Sequence, residues 1–104
     1  MAQIHWSLTA ENDLRAIEEF IAKDSILRAI SFTDRLIESA ERLSSSPKMG
    51  RMIPEFSRED LRELIFRNYR VVYQLYGDSL TIIRVVHGAR DLHGLVQQEP
   101  WILE

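Results

Sequence analysis

Leu61-Arg62-Glu63-Leu64-Ile65-Phe66-Arg67-Asn68-Tyr69-Arg70-Val71-Val72-Tyr73-Gln74-Leu75-Tyr76-Gly77-Asp78-Ser79-Leu80-Thr81-Ile82-Ile83-Arg84-Val85-Val86-His87 is the stretch from which the fold follows. It divides into three runs rich in β-branched and aromatic residues, 61–66, 69–76 and 80–87. Arg67-Asn68 and Gly77-Asp78 separate them, and short polar or glycine-containing pairs of this kind suit tight hairpins. The spacing predicts an antiparallel three-stranded meander. Side chains alternate across a strand. Tyr69, Val71, Tyr73 and Leu75 therefore share one face, and Arg70, Val72, Gln74 and Tyr76 the other. The first set is expected to meet helices, leaving Arg70 on an open face. The third run is apolar on both faces, as a central strand requires. Arg84 and His87 differ in sense along it.

Working outward, the segment 47–59 reads as an ordered loop with turn residues Pro47, Gly50 and Pro54. Before it, Ala29, Phe32, Leu36, Ala40 and Leu43 repeat at helical spacing over 26–44, with Ile26, Ile30 and Ile37 beside them. Leu14, Ile17, Phe20 and Ile21 do the same over 10–23, with Thr9 at the N-cap position and Glu11 and Asp13 favouring the helix dipole. The short break at Asp24-Ser25 predicts an antiparallel helical hairpin. Gln3-Ile4-His5-Trp6-Ser7 alternates as a short first strand. Past the meander, Leu92, Leu95, Val96, Trp101 and Ile102 either belong to a short helix near 89–98 or dock on another surface. The expected fold is α+β with order β-α-α-β-β-β, one domain over 1–104. Its hairpin, 9–45, packs on one face of a small antiparallel sheet, 60–88. Leu14, Ile17, Phe32, Leu36, Val71, Tyr73, Ile83 and Val85 should be buried.

Composition narrows the function. At 104 residues the chain is one domain's worth, and 45% apolar content excludes disorder over most of it. No apolar run approaches the ~18 residues of a membrane-spanning helix. The start, MAQIHWSLTAEND, has neither the basic residues nor the apolar stretch of a signal peptide. The absence of cysteine removes disulfides, zinc–thiolate sites and thiol nucleophiles, and fits a reducing, cytoplasmic setting. A net charge of −3 argues against a protein that coats nucleic acid. Every basic residue after Lys48 is nevertheless an arginine, whose planar fork suits phosphate and carboxylate.

Four segments carry a resemblance. They are Asp13-Leu14 with Ile17; Pro47-Lys48-Met49-Gly50-Arg51; Leu61-Arg62-Glu63-Leu64 with Tyr69-Arg70-Val71-Val72-Tyr73; and Ile83-Arg84-Val85-Val86-His87-Gly88-Ala89-Arg90-Asp91. In order and spacing they resemble the RelE/ParE superfamily of type II toxin–antitoxin toxins. The resemblance implies a toxin neutralised by a cognate antitoxin whose C-terminal segment wraps it. It also implies a plasmid-stabilisation type of module, with no cofactor. RelE-like members cut mRNA on the ribosome, whereas ParE-like members poison DNA gyrase.

Cleavage through a 2′-hydroxyl needs a base, an acid and a stabiliser of phosphorane charge. By resemblance, Arg70 and Arg90 would meet phosphate. A second nuclease pattern in the superfamily uses a glutamate base and a histidine acid; Glu55 and His87 would fill those roles with Arg62 and Arg70, since histidine titrates nearest neutrality. The same residues have plainer readings: Arg70 paired with Glu63 or Glu55, Arg84 with a nearby acid, Arg90 with Asp91, and His87 as a strand-end residue. Trp6 and Trp101 read as core or docking aromatics, and His87, Asp91 and His93 in one loop do not make a metal site. The lysines of RelE-like sites would fall near Leu61 and Glu63, and their tyrosine near Val96. Those differences, and the ending Ile83–Asp91, favour the ParE-like reading over the nuclease. The broad apolar face of the second helix, at Ile26, Ile30 and Ile37, is the expected antitoxin surface.

Overall fold

The computed structural model describes residues 1–98. The chain forms β1 (Gln3–Trp6), α1 (Leu8–Ala22), α2 (Ile26–Glu41) running into a 3-10 turn (Arg42–Ser44), β2 (Arg51–Met52), β3 (Leu61–Phe66), β4 (Tyr69–Tyr76), β5 (Ser79–His87) and α3 (Leu92–Gln98). The strands make one sheet in the order β1-β5-β4-β3-β2.

The meander forms as its turns predict, with Phe66 opposite Tyr69 and Tyr76 opposite Ser79. Each two-residue turn places one residue in the left-handed region, Arg67 at φ 53° and Gly77 at φ 57°. Glycine adopts this backbone at no steric cost, and Arg67 adopts it at some. β5 lies between β4 and β1, the central position its two apolar faces require. A bulge interrupts it: Val72 faces Arg84 and Tyr73 faces Ile82, leaving Ile83 extra. The bulge inverts the alternation. Leu80 and Ile82 point to the helices before it and Val85 does so after it, while Ile83 and Val86 point away.

Three expectations about the strands and caps are corrected. The sheet is mixed, because β1 runs parallel to β5, with Gln3 beside Ser79 and Trp6 beside Ile82. Parallel neighbours need a long connection, and here nearly the whole chain lies between the pair. The loop 47–59 contributes a two-residue edge strand, β2, on β3. The cap of α1 is Ser7 rather than Thr9: its Oγ accepts from Ala10 N at 3.0 Å and donates to Ile83 O at 2.9 Å, fastening the helix start to β5.

Two apolar clusters hold the molecule. On the helix side Ala10, Ile17, Leu36, Ala40 and Leu43 pack on Val71, Tyr73, Leu80, Ile82 and Val85, with Trp6, Leu14 and Phe32 half-buried around them. Complete burial of each large aliphatic side chain stabilises by about 1.5–3 kcal/mol. The opposite face is not open as expected. Ile53 and Phe56 from the loop, and Leu92 and Leu95 from α3, close over Leu61, Val72, Ile83 and Val86. The tail meets both expectations, forming the short helix α3 and docking it on this face through Leu92 and Leu95; Trp101 and Ile102 lie outside the described residues. Among the described residues, no helix is long and apolar enough to cross a membrane.

Candidate functional site

Arg70 leaves β4 on the face away from the helical hairpin, as alternation requires, and is only 6% exposed. An arginine buried this deeply is stable only if its donors are occupied. Its Nε donates to Glu63 Oε1 at 2.5 Å, while Nη1 and Nη2 donate to Glu55 Oε2 at 2.9 Å and Oε1 at 2.8 Å. Glu63 comes from β3, and its side chain is fully buried. Its second oxygen accepts from Arg51 Nε at 2.7 Å, on β2. The result is a chain of four charges, Arg51–Glu63–Arg70–Glu55, running from the sheet edge to the loop. Arg70 is pushed above its ordinary range, chiefly by the Glu55 hydrogen bonds. Glu55 is held below the usual carboxylate range, chiefly by its hydrogen bonds from Arg70, against the opposing effect of its burial.

A cleft of about 230 Å³ adjoins this chain of charges, lined by Arg51, Pro54, Glu55, Arg67, Tyr69, Arg70 and Gly88, among others. Arg70 and Glu55 therefore meet, but as partners of one another. His87 does not join them. It stands opposite Tyr69 in the sheet, and its ring meets the Tyr69 ring edge-on at 5.8 Å. Tyr69 packs in turn on Phe32 of α2, so His87 shares the helix side of the sheet. His87 Nδ1 also accepts from Ala89 N at 3.2 Å. Arg62 is turned toward the backbone, donating to Glu59 O and Gly50 O, both at 2.9 Å. Arg90 is exposed, with its N–H on His87 O. It does not pair with Asp91, whose carboxylate accepts from His93 N at the start of α3. Arg84 does find an acid, Asp13 of α1, at 2.8 Å and 3.1 Å, and Asp13 also accepts from Val85 N.

The helical hairpin presents two surfaces. Ile26 and Ile30 are exposed, whereas Ile37 is half-buried in a separate cleft with Ile4, Trp6 and Leu14. At the turn end of the hairpin a larger groove of about 570 Å³ lies between the end of α1, the first half of α2 and the β3–β4 turn. Phe20, Ile21 and Phe32 give it an apolar lining, and Lys23, Arg28, Arg35 and Arg67 surround it, with Asp24 the single acid. Arg67 lies over the Phe32 and Phe66 rings at 5.8 Å and 5.6 Å, and Lys23 over Phe20 at 5.9 Å, within cation–π range. The sequence offered Glu63 and Glu55 as partners of Arg70, but neither this groove nor the place of Arg51 in the buried chain of charges could be read from it. Phe20 and Phe32 were visible as helix residues. The turn at Arg67 brings Phe32 under a cation, whereas Phe20 lies under Lys23, three residues further along the chain.

A helical hairpin across a five-stranded mixed sheet, with arginines on the meander, defines a small toxin domain of the RelE/ParE superfamily. A family model described as "ParE toxin of type II toxin-antitoxin system, parDE" matches residues 4–92, and the chain belongs to that family. It is 35% identical over 91 residues to Toxin RelE2 of Caulobacter vibrioides (strain ATCC 19089 / CIP 103742 / CB 15), covering 86% of this chain and 99% of the relative. Its fold is similar to a chain from the chromosomal ParDE TA system of P. aeruginosa, with a TM-score of 0.71 at 19% identity, covering 84% and 96% of the two chains. The protein is a type II toxin.

Proposed function

We propose that this toxin acts in the cytoplasm by binding and inhibiting DNA gyrase, as the ParE-like branch does, and not by cutting RNA. The observation that carries this reading is the closed Arg70–Glu55 pair with His87 on the other side of the sheet. A general base works best with a pKa near the operating pH, yet Glu55 is shifted the other way by Arg70. The guanidinium that would meet phosphate spends its fork on two carboxylates. A nuclease built on Arg70, Glu55, His87, Arg62 and Arg90 would have to take this arrangement apart before each turnover.

The partner in the cell is a cognate antitoxin, and the exposed side chains Ile26 and Ile30 offer it an apolar surface on α2, with Ile37 apart in the cleft beside Trp6. A plasmid-stabilisation role follows from the same pairing. The deciding experiment places the purified toxin in two assays: supercoiling by gyrase, and mRNA cleavage on translating ribosomes. Inhibited supercoiling with intact mRNA is expected. Cleavage in the second assay with normal supercoiling in the first would replace this reading by the RelE-like one.

A further inference from the structure

We propose that the outer edge of β1 pairs with the same edge of a second copy of this chain, joining two five-stranded sheets into one through a two-fold axis at His5. The partner is the toxin itself, and the proposal is independent of the gyrase and antitoxin readings above.

The two edges of the sheet differ. β2 closes one side with two residues, one of them Arg51, and brevity and charge both keep an edge from pairing. β1 closes the other with Gln3-Ile4-His5-Trp6, which has no proline, lysine, arginine or carboxylate and pairs with β5 without a bulge. Backbone groups of successive residues turn to alternate edges of a strand. Gln3 N and Ser7 N donate inward, to Asp78 O and Ile82 O at 3.0 Å each, so Ile4 and Trp6 turn outward. On that outward side Ala2 is already held: its N–H donates to Ser44 O at 2.8 Å and its carbonyl accepts from Ser44 Oγ at 2.8 Å. The backbone N–H and C=O of Ile4 and Trp6 have no partner among the described residues.

These free groups complement one another across a two-fold axis. In an antiparallel ladder, residues that exchange both hydrogen bonds stand directly opposite. Ile4 opposite the second copy's Trp6, and Trp6 opposite its Ile4, satisfies every free group, whereas a register centred on Ile4 or on Trp6 satisfies half of them. The same register sets Ile4 beside the second copy's Trp6 on the helix side, a favourable pair of β-branched and aromatic side chains. Both residues already line an apolar cleft of about 470 Å³ with Leu14 and Ile37, and pairing covers its open side. Leu8, 71% exposed just beyond β1, then has the second copy's N-terminal residues beside it. His5 falls on the axis, on the other face, opposite His5 of the second copy. That is the non-hydrogen-bonded position, where side chains come closest. Satisfying every group without any sequence beyond β1 favours a second copy over a foreign strand.

The test uses the full-length toxin without antitoxin, by sedimentation equilibrium and by thiol cross-linking. The wild type is expected to associate to a dimer. His5 is exposed, so substitutions there should keep the wild-type melting temperature. His5→Glu and His5→Lys each set like charges across the axis and should each raise the dimer dissociation constant about five-fold or more. An equimolar mixture of the two should recover tight association, because position 5 then faces its opposite charge. The chain has no cysteine, so His5→Cys introduces a single thiol, and two such thiols across the axis lie within disulfide reach. His5→Cys should oxidise to a covalent dimer, whereas Gln3→Cys, also exposed but set opposite Ser7, should not. A monomeric wild type, or a dimer that neither charge weakens, would overturn the proposal, as would a mixture that associates no better than its components. A monomer whose affinity for the antitoxin falls in His5→Glu would give this edge to a strand of the antitoxin and overturn it too.

Discussion

Glu63 and Arg70 meet inside the second face of the sheet, a fully buried carboxylate on β3 accepting from a buried guanidinium on β4 at 2.5 Å. They are not directly opposite: Glu63 faces Val72 and Arg70 faces Ile65, so the contact is a diagonal across the hairpin. Diagonal neighbours lie about 7–8 Å apart at the backbone, a distance that two long side chains span. Glu63 also holds Arg51 and Arg70 also holds Glu55, so one carboxylate ties together β2, β3, β4 and, through Arg70, the loop.

Removing that carboxylate should be costly. Glu63→Ala leaves Arg70 buried with Glu55 alone, and breaking a buried ion pair by deleting one partner costs about 3–5 kcal/mol. Glu55 retains part of the pairing, so the lower end is expected. Urea denaturation reads it, and a loss under about 1 kcal/mol would show that the charges relax into water.

Acid should loosen the loop through Glu55. Its carboxyl titrates below its ordinary value of 4.5 because Arg70 donates to it, so the folded state binds the proton less readily than the unfolded chain. The stability it contributes is full above pH 4.5 and fades as pH falls through the depressed folded-state value. Glu55→Gln should therefore melt below wild type at neutral pH, with the gap closing in acid. A gap independent of pH would mean that the pair contributes through packing alone.

His87 is exposed and set edge-on against Tyr69, on the other side of the sheet from Arg70. His87→Ala should leave growth inhibition in cells at the wild-type level. A general acid contributes about 10²–10⁴ in rate, so loss of toxicity from a folded His87→Ala protein would restore the nuclease reading.

Tyr73 carries a buried polar relay under the helices. Its hydroxyl donates to Pro47 O at 2.7 Å and accepts from Gly50 N at 3.0 Å. Tyr73→Phe strands both backbone groups and should cost about 1–3 kcal/mol, measured by thermal or chemical melting. Gly50→Ala should destabilise as well, because its Cβ would lie 2.6 Å from both Glu63 O and Tyr73 Oη. A neutral result for Gly50→Ala would mean that the turn at 47–50 shifts freely.

Much of this architecture was written locally. The turns Arg67-Asn68 and Gly77-Asp78 bracket β4, and the alternation Tyr69, Arg70, Val71 assigned Arg70 to the face away from the helical hairpin, where it lies. Helical spacing located α1 and α2, because a stripe repeating near 3.6 residues has one buried solution. Of the candidate site, Arg70 and its two acidic alternatives, Glu63 and Glu55, were legible as residue types able to pair; the structure uses both at once. What sequence could not supply was every relation set by distant segments. Asp13 meets Arg84 across 71 positions. β1 joins β5 in parallel. The loop and α3 turn an expected open face into a second core. The groove cations gather from α1, α2 and a hairpin turn. Periodicity reports the face on which a side chain stands and is silent on what covers that face. Coverage is decided by the packing of segments far apart in the chain, and so it was the tertiary structure alone that closed Glu55 onto Arg70 and opened the groove beside Phe20.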